Sequence, residues 1–281
     1  MSLVINTNVA SLNAQRSLAA SGAELRTAME RLSSGKQINS ASDDAAGFAI
    51  AERMTAQIRG LNMAAKNAGD GLSMLSTIEN ATNDVTDMLQ RVRELAVQAV
   101  NDTNSSEDRG YLQTEVTQLV AEIDRVASDT QYNGRNVFVD FVGSGSGESA
   151  VAGGKIQVGT EANQTIDFTI DSISSSTLGV NSIDVSSGAG ATSALSLVDA
   201  AIEKVAGNRA DYGAVQNRLE YSVSNLLNVA EFTTAARSRI EDADFAAESA
   251  RLSKAQVLQQ SGTAMLAQAN ASQQLALSLF R

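Results

Sequence analysis

Arg31-Leu32-Ser33-Ser34-Gly35-Lys36-Gln37-Ile38-Asn39-Ser40-Ala41-Ser42-Asp43-Asp44-Ala45-Ala46-Gly47 reads as the end of one helix and the start of another. Gly35 follows an apolar-periodic run and suits a left-handed C-cap. Ser42 can cap the next helix, and Asp43 and Asp44 in its first turn complement the helix dipole. Gly35-Lys36 does not open a phosphate-binding loop, because the required earlier glycine position holds Glu30. Asp43 and Asp44, being adjacent, point in different directions and have no third ligand at metal spacing. They are expected as capping charges.

Upstream of this junction the pattern predicts a helix from about Asn8 to Ser33, with Leu18, Leu25, Met29 and Leu32 on one stripe. Downstream, Met54, Ile58, Leu61, Ala65, Ala68, Leu72 and Leu75 alternate steps of four and three, which is a heptad seam. The step to Ile78 is three again, expected as a stammer, before the seam resumes through Val85, Leu89, Val92 and Ala96. A helix running to about Val100 would be about 85 Å long and needs partners along its length. Asn104, with Glu107 three residues on, is the expected capping box of a third helix. That helix carries a seam of Leu112, Val116, Leu119, Ile123 and Val126.

Between Gly143 and Gly190 the chain turns rich in Gly and Ser, with short alternating runs at 155–158 and 165–170 expected as exposed hairpin strands. Helical periodicity returns near Thr192. Leu195, Val198, Ile202, Val205, Tyr212, Leu219, Val223, Leu226 and Ala230 share a register, with Arg209 and Gln216 at intervening seam positions. After an acidic run, Glu241-Asp242-Ala243-Asp244, expected as a solvated junction, a last helix places Phe245, Leu252 and Leu266 at multiples of seven. Leu258 and Met265 lie on an adjacent track.

Composition agrees with long helices and narrows the chemistry. The 281 residues include no Pro, against roughly 14 at average usage, so nothing interrupts a helix interior. There is also no Cys, His or Trp, which excludes disulfides, imidazole ligands and any Ser-His or Cys-His catalytic pair. No catalytic, cofactor or metal site is expected, and the chain reads as non-enzymatic. The net charge of −11 argues against nucleic acid. No apolar run of about 20 residues suggests membrane insertion, and the first residues do not resemble a cleavable secretory signal.

The charge is unevenly placed: residues 1–41 and 241–281 together sum to +1, and the middle carries −12. The fold class expected is mainly α: an elongated long-helix bundle or coiled coil with a small β-hairpin region between N- and C-terminal helical halves. Three parts are expected: residues 1–41 with 241–281 as paired terminal helices, 42–142 with 191–240 as the bundle, and 143–190 as the β region. A lone helix pair rich in Ala, Ser and Gln is marginal, so its apolar flanks are expected to associate with further copies.

These stretches resemble the bacterial flagellins over nearly the whole chain. The likeness is carried by Ile5-Asn6-Thr7-Asn8-Val9-Ala10-Ser11-Leu12, by the 31–47 stretch and by Leu89-Gln90-Arg91-Val92-Arg93-Glu94-Leu95-Ala96-Val97-Gln98-Ala99. Ala214-Val215-Gln216-Asn217-Arg218-Leu219, Arg239-Ile240-Glu241-Asp242-Ala243-Asp244-Phe245 and Gln268-Ala269-Asn270-Ala271-Ser272-Gln273-Gln274 add to it. The resemblance implies a minimal form without large outer domains, in which the paired termini form the inner tube of a filament and the bundle its shell. It implies a homopolymer in the extracellular bacterial flagellum that serves swimming motility. The chain would be exported unfolded by the flagellar type III apparatus with a chaperone, and would meet the hook–filament junction and cap proteins.

The residues expected to build the terminal coiled coil and its polymer contacts are Ile5, Val9, Leu12, Leu18, Leu25, Leu252, Leu258, Leu266, Leu275, Leu279 and Phe280. Gln90, Arg91, Leu95 and Glu115 match positions through which similar flagellins are bound by the flagellin-sensing Toll-like receptor. On structural grounds the same four residues are expected on an exposed or inter-subunit face. A hook–filament junction protein and a soluble coiled-coil adaptor are the alternatives.

Overall fold

The computed structural model describes residues 7–140 and 154–278, with side chains through residue 272. Six helices and two short antiparallel hairpins follow one another: α1 (Val9–Ser34), α2 (Ala45–Val100), α3 (Ser106–Asp129), β1 (Gln131–Tyr132), β2 (Arg135–Asn136), β3 (Gly154–Gln157), β4 (Thr165–Phe168), α4 (Ser175–Leu178), α5 (Gly188–Glu241) and α6 (Phe245–Ser278). The fold is mainly α, as the periodicity predicts. Contacts divide the chain into two compact units, Met1–Ile58 with Glu231–Arg281 and Arg59–Ala230. The divisions drawn from charge, after residues 41 and 240, fall at helix junctions. The divisions drawn from contacts fall inside α2 and α5, whose backbones continue through them.

In the second unit, besides the flanking buried residues Met74, Ala81 and Leu95, α2 buries Leu61, Ala64, Ala68, Gly71, Leu75, Ile78, Thr82, Val85, Leu89, Val92, Ala96 and Ala99. These alternate three and four without a break, so the expected stammer is absent. Ala65 and Leu72, assigned to the seam by spacing, lie half-buried on its flank, Leu72 beside the deeper Gly71. The same rotation occurs in α5, where Ala191, Ala194, Ala201 and Asn208 take the deep positions. Leu195, Ile202 and Arg209 sit half-buried beside them. Helices close up where side chains are small, and the bulkier neighbours then cover the groove from the side.

Turn chemistry accounts for the junctions. Ser105, not Asn104, is the N-cap of α3, and it forms a capping box with Asp108. Asn104 is engaged elsewhere, its side-chain amide donating to the Gln98 carbonyl at 2.6 Å. The Ser105 hydroxyl and amide hold the Asp108 carboxyl below its ordinary range. Arg109 folds back so that Nε donates to the Ala99 carbonyl at 2.8 Å and Nη2 to that of Asn101 at 3.2 Å, closing the C-terminus of α2.

The β region is less exposed than expected. β3 and β4 pair Gly154 with Phe168 through Gln157 with Thr165. Ile156, Ile166, Phe168, Ile170, Ile173, Val180, Ile183 and Val185 are buried in the same core as the helices. Their alternation with polar residues marks one covered face, not an edge free on both sides. Gly71 leaves room for Ile156: a Cβ there would lie 2.3 Å from the isoleucine Cδ1. A second hairpin, β1–β2, precedes this region and turns through Asn133 and Gly134, both at positive φ. Gln113 fastens the segment before α5, since its Oε1 accepts from Val185 N at 2.6 Å and its Nε2 donates to the Ile183 carbonyl at 3.1 Å.

Candidate functional site

In the first unit α1 and α6 run antiparallel. Ser11, Ala14, Leu18, Ser21, Leu25, Ala28 and Leu32 form the inner stripe of α1. Glu248, Leu252, Ala255, Gly262, Leu266 and Ala269 form that of α6. The register is pinned at both ends. Asn8 Nδ2 donates to the Ala269 carbonyl at 2.9 Å, and Ser11 Oγ donates to Asn270 Oδ1 at 3.1 Å. At the other end Lys36 and Asp242 form an antiparallel bridge, with Gln37 N donating to the Glu241 carbonyl at 2.7 Å.

The sequence-selected apolar residues therefore separate into two sets. Leu18, Leu25, Leu252 and Leu266 lie half-buried in the seam. Val9, Leu12 and Leu258 are not seam residues: they are 60%, 48% and 44% exposed on the outside of the pair. Met29, placed on the inner stripe by spacing, is exposed as well, and so are Phe245, Val257 and Met265. Small residues again took the inner positions, with Ala28 buried in place of Met29. Ile5, Leu279 and Phe280 and the Leu275 side chain lie outside the described residues. What remains is a narrow, small-residue seam carrying exposed apolar side chains on its outer faces, which is the signature of an association surface.

The junctions beside this pair are tightly capped. Gly35 ends α1 in the left-handed region at φ 73°. Asp44, not Ser42, caps α2, its Oδ1 accepting from Ala46 N and Gly47 N at 3.0 Å each. Ser42 only shares a hydrogen bond with the Ser40 hydroxyl. Asp43 accepts from the amides of Ser40 and Asn39, which hold its carboxyl below the ordinary range. The 241–244 run is not simply solvated. Glu241 is ion-paired to Lys36 and Arg237, and Asp244 caps α6 through Ala246 N. Glu248 is buried against α1, 3.7 Å from Arg31 and 3.2 Å from Arg251.

A second candidate surface lies on the bundle. Arg91 joins two helices, donating from Nε to Glu115 at 2.9 Å and from Nη1 to Glu94 at 2.9 Å. Those two hydrogen bonds, Glu94 first, raise the guanidinium's affinity for its proton. Gln90, Arg91 and Glu115 are exposed, and Arg93 beside them pairs with Asp199 at 2.6 Å. Leu95 is 1% exposed and belongs to the core. It is not part of the exposed face: lying one turn from both Val92 and Ala99, it is buried in the core they share.

Among the described residues no group of three or more acidic or other ligating side chains is placed to hold a metal ion. No helix there is long and apolar enough to cross a membrane.

Comparison with known proteins accords with this architecture. Residues 5–142 match the bacterial flagellin N-terminal helical region, and residues 195–280 match the bacterial flagellin C-terminal helical region. The chain is 43% identical to the flagellar filament 33 kDa core protein of Treponema phagedenis, over 99% of this chain and 100% of that protein. It is 40% identical to a flagellin of Halalkalibacterium halodurans, again over 99% and 100%. The crystal structure of Bacillus cereus flagellin is 30% identical, with a TM-score of 0.48 over 57% of this chain and 88% of that one. These relatives are named as structural filament proteins and not as enzymes. With both terminal regions matched and the identity running end to end, the chain belongs to the bacterial flagellin family.

Proposed function

We propose that this chain is a structural subunit that polymerises into the extracellular flagellar filament and so serves swimming motility. The observation that carries the reading is the outer surface of the α1–α6 pair, where Val9, Leu12, Met29, Val257, Leu258 and Met265 stay exposed. Burying such side chains between copies contributes on the order of 1 kcal/mol each, against the entropic cost of association. A heterologous contact whose rotation does not close adds copies indefinitely, whereas an isologous one closes a dimer. Residues 1–41 with 241–281 supply the inner-tube packing, 42–142 with 191–240 the helical bundle, and 143–190 a short β region in place of large outer domains.

The finer parts of the reading follow from the same chemistry. A pair this thin is easily unfolded for passage through the type III apparatus, held meanwhile by an export chaperone and later placed by the cap above the hook–filament junction. The exposed Gln90, Arg91 and Glu115 face is the surface a flagellin-sensing Toll-like receptor would read, with Leu95 beneath it holding the helix in place.

Electron microscopy of seeded, purified protein tests the assembly. Open-ended tubes of uniform width support it, and a closed dimer or trimer, as a soluble adaptor would form, overturns it. Receptor reading is tested separately with the reversed-charge change Glu115→Arg, which should weaken receptor activation at least tenfold in a reporter assay. Unchanged activation would reject that face.

A further inference from the structure

α1 carries a second stripe beside the one that faces α6. Leu12, Gln15, Ala19, Gly22, Arg26 and Met29 alternate steps of three and four, and all but the half-buried Gly22 are exposed. Nothing within the chain accounts for Gly22. It sits inside the helix, where glycine is the least favourable residue after proline, and a Cβ there would meet nothing within 4 Å. Gly262 on α6 is different, because Leu18 of the same chain lies over it. A glycine under open space leaves room for another helix to come close.

α6 offers the complementary shape. Arg251, Leu258 and Met265 recur every seven residues and are exposed. Arg251 and Met265 each precede an inner-stripe leucine by one position. The two stripes lie on opposite sides of the pair. The cleft between α1 and α6 is lined by Glu24 and Arg31, which precede Leu25 and Leu32, and by Arg251. Successive helical residues turn by about 100°. Leu258 and Met265 therefore share the cleft's side, whereas Ala19 and Arg26, which follow Leu18 and Leu25, lie on the far side.

Resting on the assembly reading, we infer that the Leu258 and Met265 edge of α6 packs onto α1 of the next copy at Gly22. A contact between opposite sides of the pair is heterologous, and where its rotation does not close it adds copies in series. Pairing like side with like side would close a dimer. The α1 stripe is about 27 Å long and about 10 Å wide. That area is far below the roughly 800 Å² per partner of a stable complex. Alone it does not hold two copies together, and it acts as one of several contacts that a copy makes in the polymer.

The test is a size series at Gly22 in the full chain. The readouts are helix content of the unpolymerised chain, by circular dichroism, and the critical concentration for seeded polymerisation. Gly22→Ala should keep or raise helix content, since its Cβ meets nothing, yet raise the critical concentration about threefold by crowding the neighbour. Gly22→Leu should keep the helix and raise the critical concentration about tenfold or more. Leu258→Ala with Met265→Ala should raise it by itself and open space opposite Gly22. On that background Gly22→Leu should add less than about threefold, because the two stripes are coupled. Gly22→Leu polymerising at the parental critical concentration overturns the inference. So does an undiminished effect of Gly22→Leu on the double-alanine background, which would mean that the two stripes do not meet. A parent that does not polymerise overturns the assembly reading, on which this contact rests.

Discussion

Leu18 lies over Gly262 so closely that a Cβ on the glycine would come within 3.3 Å of the leucine Cδ1. The contact sits midway along the terminal pair and explains a glycine in a helix interior, where it costs about 1 kcal/mol relative to alanine. Gly262→Ala should change stability by less than about 1 kcal/mol, because the propensity gained offsets a shift of a few tenths of an ångström. Gly262→Leu has no such room. It should abolish pelleting of polymer while leaving the 59–230 bundle's melting unchanged, and pelleting at parental levels would remove the seam from the account.

Gly71 makes the corresponding contact in the bundle, under Ile156. Gly71→Ala should destabilise the bundle by about 1–2 kcal/mol, overpacking outweighing helix propensity. In an Ile156→Val background, which removes the nearest atom, the same change should become neutral or stabilising. A double-mutant cycle by urea unfolding measures that coupling.

Capping separates two neighbouring candidates. Asp44→Ala should cost about 1 kcal/mol, since Asp44 accepts from two first-turn amides of α2. Ser42→Ala should fall within about 0.5 kcal/mol of the parent. Thermal melts of the two variants decide between the cap seen in the fold and the one suggested by the sequence.

Tyr212 is 2% exposed, and burial pushes its phenol up to about 12, the nearby Asp171 amide pulling the other way. Its hydroxyl makes no hydrogen bond of good geometry. The folded chain therefore keeps this proton after the unfolded chain has lost it. Stability is unaffected below about pH 10 and falls as pH rises from about 10 to about 12, by up to about 2–3 kcal/mol. Tyr212→Phe should remove that part of the alkaline loss, measured by urea midpoints across the window.

The helices, their order and most junctions were legible because Pro is absent and the heptads are long. What sequence reading misjudged was rotation about the helix axis. Leu72, Leu195, Ile202 and Met29 drew the seam toward themselves, yet Gly71, Ala194, Ala201 and Ala28 hold it. Hydrophobicity scales rank the larger side chain as more buried. Close helix approach favours the smaller one and leaves the larger to cover the flank. Val9, Leu12 and Leu258, expected in the terminal coiled coil or its polymer contacts, lie on the outside of the pair, where exposure suits them to meet another copy. Arg109 as the cap of α2 acts back across the 101–105 turn, outside any capping pattern, and Gln113 as the staple of 183–185 had no local signal because it acts across elements distant in sequence.

The central claim is that the paired termini drive assembly, and removing half of the pair tests it most directly. A chain lacking residues 250–281 and the full chain would be seeded under identical conditions and examined by electron microscopy, with circular dichroism confirming that the bundle stays folded. The account predicts filaments from the full chain and none from the truncated one. Filaments of normal width from the truncated chain would contradict it.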